Sequence, residues 1–89
     1  MVLSHDPYCP ISRVAHAELS HVDAEVHVVD VDAHQELGRL IERRTRVRHE
    51  SPQLIVLKDG QATWSASHFA ITAEAVAAAL RSGWLRRRG

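Results

Sequence analysis

Cys9 is the only cysteine in the chain, and it stands directly before a proline in Ser4-His5-Asp6-Pro7-Tyr8-Cys9-Pro10-Ile11-Ser12. A Cys-Pro step ahead of apolar residues at helical spacing reads as a helix start. Cysteine takes the N-cap and Pro10 the first helical position, where a missing N–H costs nothing. A sulfur there faces unpaired backbone N–H groups and the positive end of the helix dipole. Both favour thiolate over thiol, and the thiolate is the nucleophile. A lone cysteine is more often a small buried hydrophobe; its place at a helix start turns this one toward chemistry. Ser12 holds the position of the second cysteine in a Cys-x-x-Cys motif. Serine cannot resolve a disulfide, so any exchange cycle is monothiol. Its hydroxyl either donates to the Cys9 thiolate, favouring the charged form, or satisfies backbone in the first turn.

The seven histidines, His5, His16, His21, His27, His34, His49 and His68, raise the question of a metal. None combines a ligand spacing with a cysteine partner as a zinc site requires, so no metal is expected. His16 and His21 are off the same-face spacing of a helix, and His27 should alternate outward on its strand. His5 and His49 flank the proposed site, where each could hold positive charge near the thiolate or contact a ligand carboxylate, though flanking histidines are more often bystanders.

These residues need elements to position them. At 89 residues the chain is expected to be one minimal domain over residues 1–89, burying roughly 60–65% of the surface its unfolded form would expose. A single cysteine allows no internal disulfide, which fits a reducing cytosol. Neither a charged-then-apolar leader nor an apolar run long enough for a bilayer is present. Eleven basic and eleven acidic residues cancel, which removes a global electrostatic argument for nucleic acid. Arg86-Arg87-Arg88 is a local exception, read as a solvated tail or a short docking patch.

Val2-Leu3 is a stub of strand. Ile11, Val14, Ala15, Leu19 and Val22 recur as one face of a helix from Pro10 to Ser20. Glu25–Asp32, with four valines, reads as a strand. Leu37, Leu40 and Ile41 form the buried stripe of a second helix over His34–Arg44. Leu54-Ile55-Val56-Leu57 is a continuous apolar run, expected as a central strand covered on both faces. Asp59-Gly60 is a hairpin signal, with Ala62–Ser65 returning as partner. Thr72 is an N-cap with Ile71 and Val76 as a hydrophobic staple, and Gly83 is expected to stop that last helix. Trp64 should pack in the core beneath it.

The order β-α-β-α-β-β-α, with a right-handed parallel first crossover and an antiparallel hairpin, gives an α/β fold. It is a mixed four-stranded sheet with helices on both faces, the thioredoxin-like arrangement. Cys9 then lies at the C-terminal end of the first strand, where open α/β sheets place their sites. His49-Glu50-Ser51-Pro52 faces it across the sheet end. A cis Ser51–Pro52 bond is favoured in that fold, and the residue before it can pair with an extended thiol-bearing ligand strand to strand.

Cys9-Pro10-Ile11-Ser12, Val47-Arg48-His49-Glu50-Ser51-Pro52-Gln53 and Trp64-Ser65-Ala66-Ser67-His68-Phe69-Ala70-Ile71-Thr72 together resemble the monothiol bacilliredoxin (YtxJ) family of the bacillithiol redox system over nearly the whole chain. Relatives usually carry a segment before the first strand and a small polar residue where Tyr8 stands. The resemblance implies a cytoplasmic thiol-disulfide oxidoreductase that removes bacillithiol from S-bacillithiolated proteins, with Cys9 as nucleophile and Pro52 as the cis-proline. It implies bacillithiol as co-substrate with no tightly bound cofactor, and bacillithiol or another low-molecular-weight thiol as the regenerating partner. A monomer acting without nucleic acid or membrane is expected. Tyr8, Pro10, Ser51, Pro52, His49 and His68 are the expected substrate-binding positions, and Arg48, His49 or His68 would meet the malate carboxylates of bacillithiol. Two other classes stand beside this reading: a glutaredoxin-like [2Fe–2S] cluster-binding protein, and a non-catalytic module using the same groove for partners.

Overall fold

The first strand of the chain occupies an inner position of the sheet, and the rest of the architecture follows from that. The computed structural model describes the backbone of residues 1–88 and the side chains of residues 1–81. In chain order it forms β1 (Val2–His5), α1 (Pro10–Leu19), β2 (His27–Asp30), α2 (Gln35–Thr45), β3 (Gln53–Lys58), β4 (Gln61–Ser67), a 3-10 turn (His68–Ala70) and α3 (Ala73–Arg88). The strands lie in the order β2-β1-β3-β4. β1 runs parallel to β2 and antiparallel to β3, and β3 is antiparallel to β4. This is the mixed four-stranded sheet that the element order requires.

Alternation along β1 and β3 divides the interior in two. Leu3 and Leu54 are register partners, and both are fully buried with Ala15 and Leu19 of α1, Ile71, and Val76 of α3. Trp64 and Ala66 of β4 pack against the same cluster. On the other face Val2 and Ile55 line a cavity together with Leu40 and Ile41 of α2. Helices therefore cover both faces, and none of them is long and apolar enough to cross a membrane among the described residues.

Several local signals act as written. Thr72 Oγ1 accepts the Ala75 N–H at 3.2 Å, an N-cap bond, and Ile71 and Val76 are both buried as its staple. Glu18 of α1 adds a bond the sequence does not reveal, accepting the Ala73 N–H at 3.1 Å. Asp59 and Gly60 have φ of 53° and 78°, the paired positive values of a type I′ hairpin turn. Nothing lies within 4 Å of where a Cβ on Gly60 would stand, so Gly60→Ala should cost only backbone strain, about 1 kcal/mol, read as a lower urea midpoint with unchanged m-value.

Three expectations need correction. Val14 is 54% exposed; it lies at the flank of α1, and Ser12, Ala15 and Leu19 are the buried residues of that helix. Leu37 and Leu40 are 36% and 37% exposed, so the stripe Leu37-Leu40-Ile41 is not buried. The only buried residue of α2 is Gly38, because the ring of His49, from the following loop, lies against it. The helix is rotated to bring Gly38 inward, and a cavity of about 270 Å³ opens between Leu40, Ile41, Ile55 and Leu57. Finally, α3 runs through Gly83 to Arg88. Glycine inside a helix costs only about 1 kcal/mol against alanine, and without a terminating turn that penalty does not end the helix. The Arg86–Arg88 side chains lie outside the described residues.

Candidate active site

The segment between β1 and α1 is held by its own short bonds. Asp6 Oδ1 accepts the Tyr8 N–H at 3.0 Å, an Asx turn that reverses the chain. The Asp6 carbonyl accepts the Cys9 N–H at 3.1 Å, and the Cys9 carbonyl accepts the Arg13 N–H at 3.1 Å. Cys9 therefore has the extended φ and ψ of an N-cap (−96°, 121°), Pro10 opens the helix, and the sulfur makes no capping bond. The thiol is free and half-buried. Pro10 and Tyr8 are exposed beside it, Tyr8 to 81%.

Ser12 is fully buried. Its Oγ accepts the Asp6 N–H at 2.9 Å and lies 2.8 Å from His5 Nδ1. Of the two roles expected of Ser12, this is the backbone-satisfying one, though the N–H it satisfies belongs to Asp6 rather than to the helix. The hydroxyl ties the end of β1 to the first turn of α1, and no helical N–H uses it. The His5 ring stacks on that of His16, with centroids 5.0 Å apart and planes inclined by 28°. Burial holds the imidazole below its ordinary value, helped by the His16 charge; Asp30, Asp6 and the Ser12 bond pull the other way.

That shift has a sign for stability. The unfolded chain takes up the His5 proton near the ordinary value of 6.5, while the folded chain resists it to a lower pH. The His5 contribution is intact above 6.5 and is lost as pH falls through that value toward the folded one. Wild type should therefore lose stability between pH 7.5 and 5 more steeply than His5→Asn, measured as urea midpoints at both pH values.

The second loop reaches the same end of the sheet. The Ser51–Pro52 bond is cis. Gln53 pairs with Ser4, so buried Pro52 adjoins the C-terminal end of β1, from which the Cys9 loop departs. The Pro52 carbonyl accepts the His68 N–H at 3.0 Å, which brings the start of the 3-10 turn alongside. His68 is exposed, with φ of 54°. Ser51 Oγ is buried without a hydrogen-bond partner among the described residues.

His49 faces elsewhere. Its ring lies on Gly38, where an added Cβ would stand 2.8 Å from Cε1, and its N–H donates to Glu42 Oε1 at 2.6 Å. Gln53 Nε2 donates to the Arg48 carbonyl at 2.7 Å. α2 and β3 thus fix the loop before Pro52, while Arg48 and Glu50 stay exposed.

The structure brings Tyr8, Cys9, Pro10, Ser12, Ser51, Pro52 and His68 to one end of the sheet, and turns His49 to α2. Sequence reading missed Phe69, 69% exposed in the turn that packs against α1. The signal available was an aromatic residue, one of four in the chain, placed in a loop just before an N-cap. Among the described residues no three of His, Cys, Asp or Glu stand together as metal ligands.

Comparison with known proteins agrees with this geometry. Residues 1–76 match the family model described as monothiol bacilliredoxin BrxC. A solved structure described as a provisionally assigned oxidoreductase with a thioredoxin fold is similar at 32% identity and a TM-score of 0.81. The match covers 88% of this chain and 73% of that one.

Proposed function

The chain belongs to the monothiol bacilliredoxin family, and from that premise we propose that it removes bacillithiol from S-bacillithiolated proteins through a mixed disulfide on Cys9. The observation that carries the reading is a free, half-buried thiol at the N-cap of α1 in a chain with no second cysteine. The Cys9 thiolate attacks the bacillithiol sulfur of the protein mixed disulfide. That S–S bond breaks, Cys9–S–S–bacillithiol forms, and the protein leaves as a thiolate that takes a proton from water. A second low-molecular-weight thiolate then attacks the adduct, forming a small-molecule disulfide and returning Cys9 as thiolate. No other oxidant or reductant enters, and both steps are fastest when the attacking thiol has a pKa near ambient pH. A reducing cytosol supplies such thiols.

The loop ending at Pro52 receives the ligand in this reading. The Ser51 backbone would pair with the extended part of the mixed disulfide, with Tyr8 and Pro10 on the near side. Exposed Arg48 and His68 would meet the malate carboxylates in this reading, whereas His49 contributes by seating the loop on α2. Gly38→Ala tests that seating. A methyl 2.8 Å from His49 Cε1 must displace the ring, while alanine favours the helix by about 1 kcal/mol. The variant should melt within a few degrees of wild type and release bacillithiol several-fold more slowly.

The direct test is to incubate reduced protein with a bacillithiolated and a glutathionylated test protein and record intact masses. A bacillithiol adduct on Cys9 with little glutathione adduct supports the assignment. Adducts of both would make it a general glutaredoxin-like enzyme, and no adduct would make Cys9 inert and the fold a binding module.

A further inference from the structure

Under α2, at the end of the sheet away from Cys9, lies a mostly apolar cavity of about 270 Å³ walled by Val2, Leu40, Ile41, Ile55 and Leu57. Val2 opens β1 and Leu57 stands near the end of β3. Leu40 and Leu57 are partly exposed, so the cavity opens to solvent. A polar chamber of about 400 Å³ adjoins it. Arg44, Thr45 and Gly60 line both spaces, and Arg46 and Gln61 line the second. Nothing lies within 4 Å of where a Cβ on Gly60 would stand, so the turn leaves that side of the opening clear.

Positive charge gathers at this opening. Arg43, Arg44, Arg46 and Arg48 are all exposed, and none forms an ion pair among the described residues. The nearby acids do not offset them. Glu42 Oε1 accepts the His49 N–H, and Asp59, beside Gly60, lines neither chamber. The C-terminal end of the α2 dipole carries about half a negative charge, which the full charges of Arg44 and Arg46 outweigh. Thr45 Oγ1 donates to the Ile41 carbonyl at 2.7 Å and accepts the Val47 N–H at 3.2 Å. It shapes the rim and has no further proton to give.

Size and charge together select the occupant. A cavity of about 150 Å³ holds benzene, so this one has room, in proportion, for one alkyl chain of about eight to ten carbons. It is too small to seat an α-helix, whose diameter is about 10–12 Å. A second copy docked here about a two-fold axis would set the same arginines against each other. We propose that the two chambers bind a medium-chain alkyl carboxylate, with its chain in the apolar cavity and its head on Arg44 and Arg46. The guanidinium fork matches a carboxylate in shape as well as charge. This site goes beyond the chemistry assigned to Cys9 and does not depend on it.

The test is calorimetric titration of the whole protein with hexanoate, octanoate, decanoate and octylammonium, each below its micelle concentration. Two buried methylenes are worth about tenfold in affinity, so octanoate should bind about tenfold more tightly than hexanoate. The gain from octanoate to decanoate should be smaller as the cavity fills. Octylammonium, with the same chain and the opposite charge, should not bind detectably. Arg44→Gln should weaken octanoate about tenfold, the equivalent of one lost charge-assisted bond. Arg44 is exposed, so this variant should keep the fold. Leu57→Trp, with circular dichroism confirming the fold, should fill the cavity and abolish binding. Equal affinities for hexanoate and octanoate, octylammonium bound as tightly as octanoate, or an Arg44→Gln affinity within twofold of wild type would each overturn the proposal. A dimer in sedimentation that Leu57→Trp dissolves would also overturn it, giving the face to a second copy. Failure of bacillithiol transfer would leave every one of these expectations unchanged.

Discussion

Cys9→Ser should release no bacillithiol from any substrate while melting at least as high as wild type. The chain has no other sulfur nucleophile except the thioether of Met1, which cannot form a disulfide by exchange. Activity should therefore fall to the uncatalysed rate rather than to a fraction of wild type. The fold does not depend on the sulfur. Cys9 is half-buried and makes no capping bond, and the backbone bonds at this position, from Cys9 N–H to Asp6 and from Arg13 N–H to Cys9, survive the change. Serine is also a better N-cap than most residues, a difference of up to about 1 kcal/mol, or roughly 4–8 °C for a domain of this size. The measurement is a melting curve beside an intact-mass assay of bacillithiol transfer. Turnover in the variant would place the chemistry on another residue and sink the monothiol mechanism.

Leu54→Ala should come close to unfolding the protein. Leu54 is fully buried, set between its register partners Leu3 of β1 and Ala66 of β4 and packed against α1 and α3 residues. Removing a leucine side chain from such a site costs about 2–5 kcal/mol, from lost transfer energy and the cavity left behind. A domain of this length has roughly 4–13 kcal/mol in total, so the variant should show a large drop in urea midpoint with an unpopulated or barely populated native baseline. Leu57, on the same strand, is 38% exposed, and Leu57→Ala should cost under about 1 kcal/mol. Similar losses at both positions would mean that the two faces of β3 are not packed as described.

The fold was largely legible because its signals are local and periodic. Valine-rich and leucine-rich runs, an Asp-Gly turn and a Thr72 cap with its staple each name an element from a few neighbouring residues. What escaped depends on residues meeting across the fold. The rotation of α2 is set by Gly38, whose importance appears only when the His49 ring of a later loop lies on it. Gly83 looked like a stop because glycine favours helix ends, yet no rule obliges a helix to end there. In the site, Cys9 and Pro52 could be singled out by type and setting. The partner of Ser12 could not, since the helical spacing that places Ser12 opposite Cys9 says nothing of His5, which a separate strand delivers. Phe69 was hidden for the same reason: its exposure is decided by the 3-10 turn.

The inner position of β1 bears on how the site comes into being. β1 and its antiparallel neighbour β3 are separated by more than forty residues of chain, so a long loop must close before that pairing stabilises anything. Pairings of high sequence separation form slowly, and the entropy of closing the loop is lost before the contacts offset it. Cys9 and Pro52 hang from the two strands of this seam, and neither half of the chain contains both. Helix α1 can form early without yielding a working thiol. In a refolding experiment, rapid helix signals should precede the reactivity of Cys9, which should appear together with the burial of Trp64 against the finished core. The reactive thiol is in this sense a clock for completion of the fold.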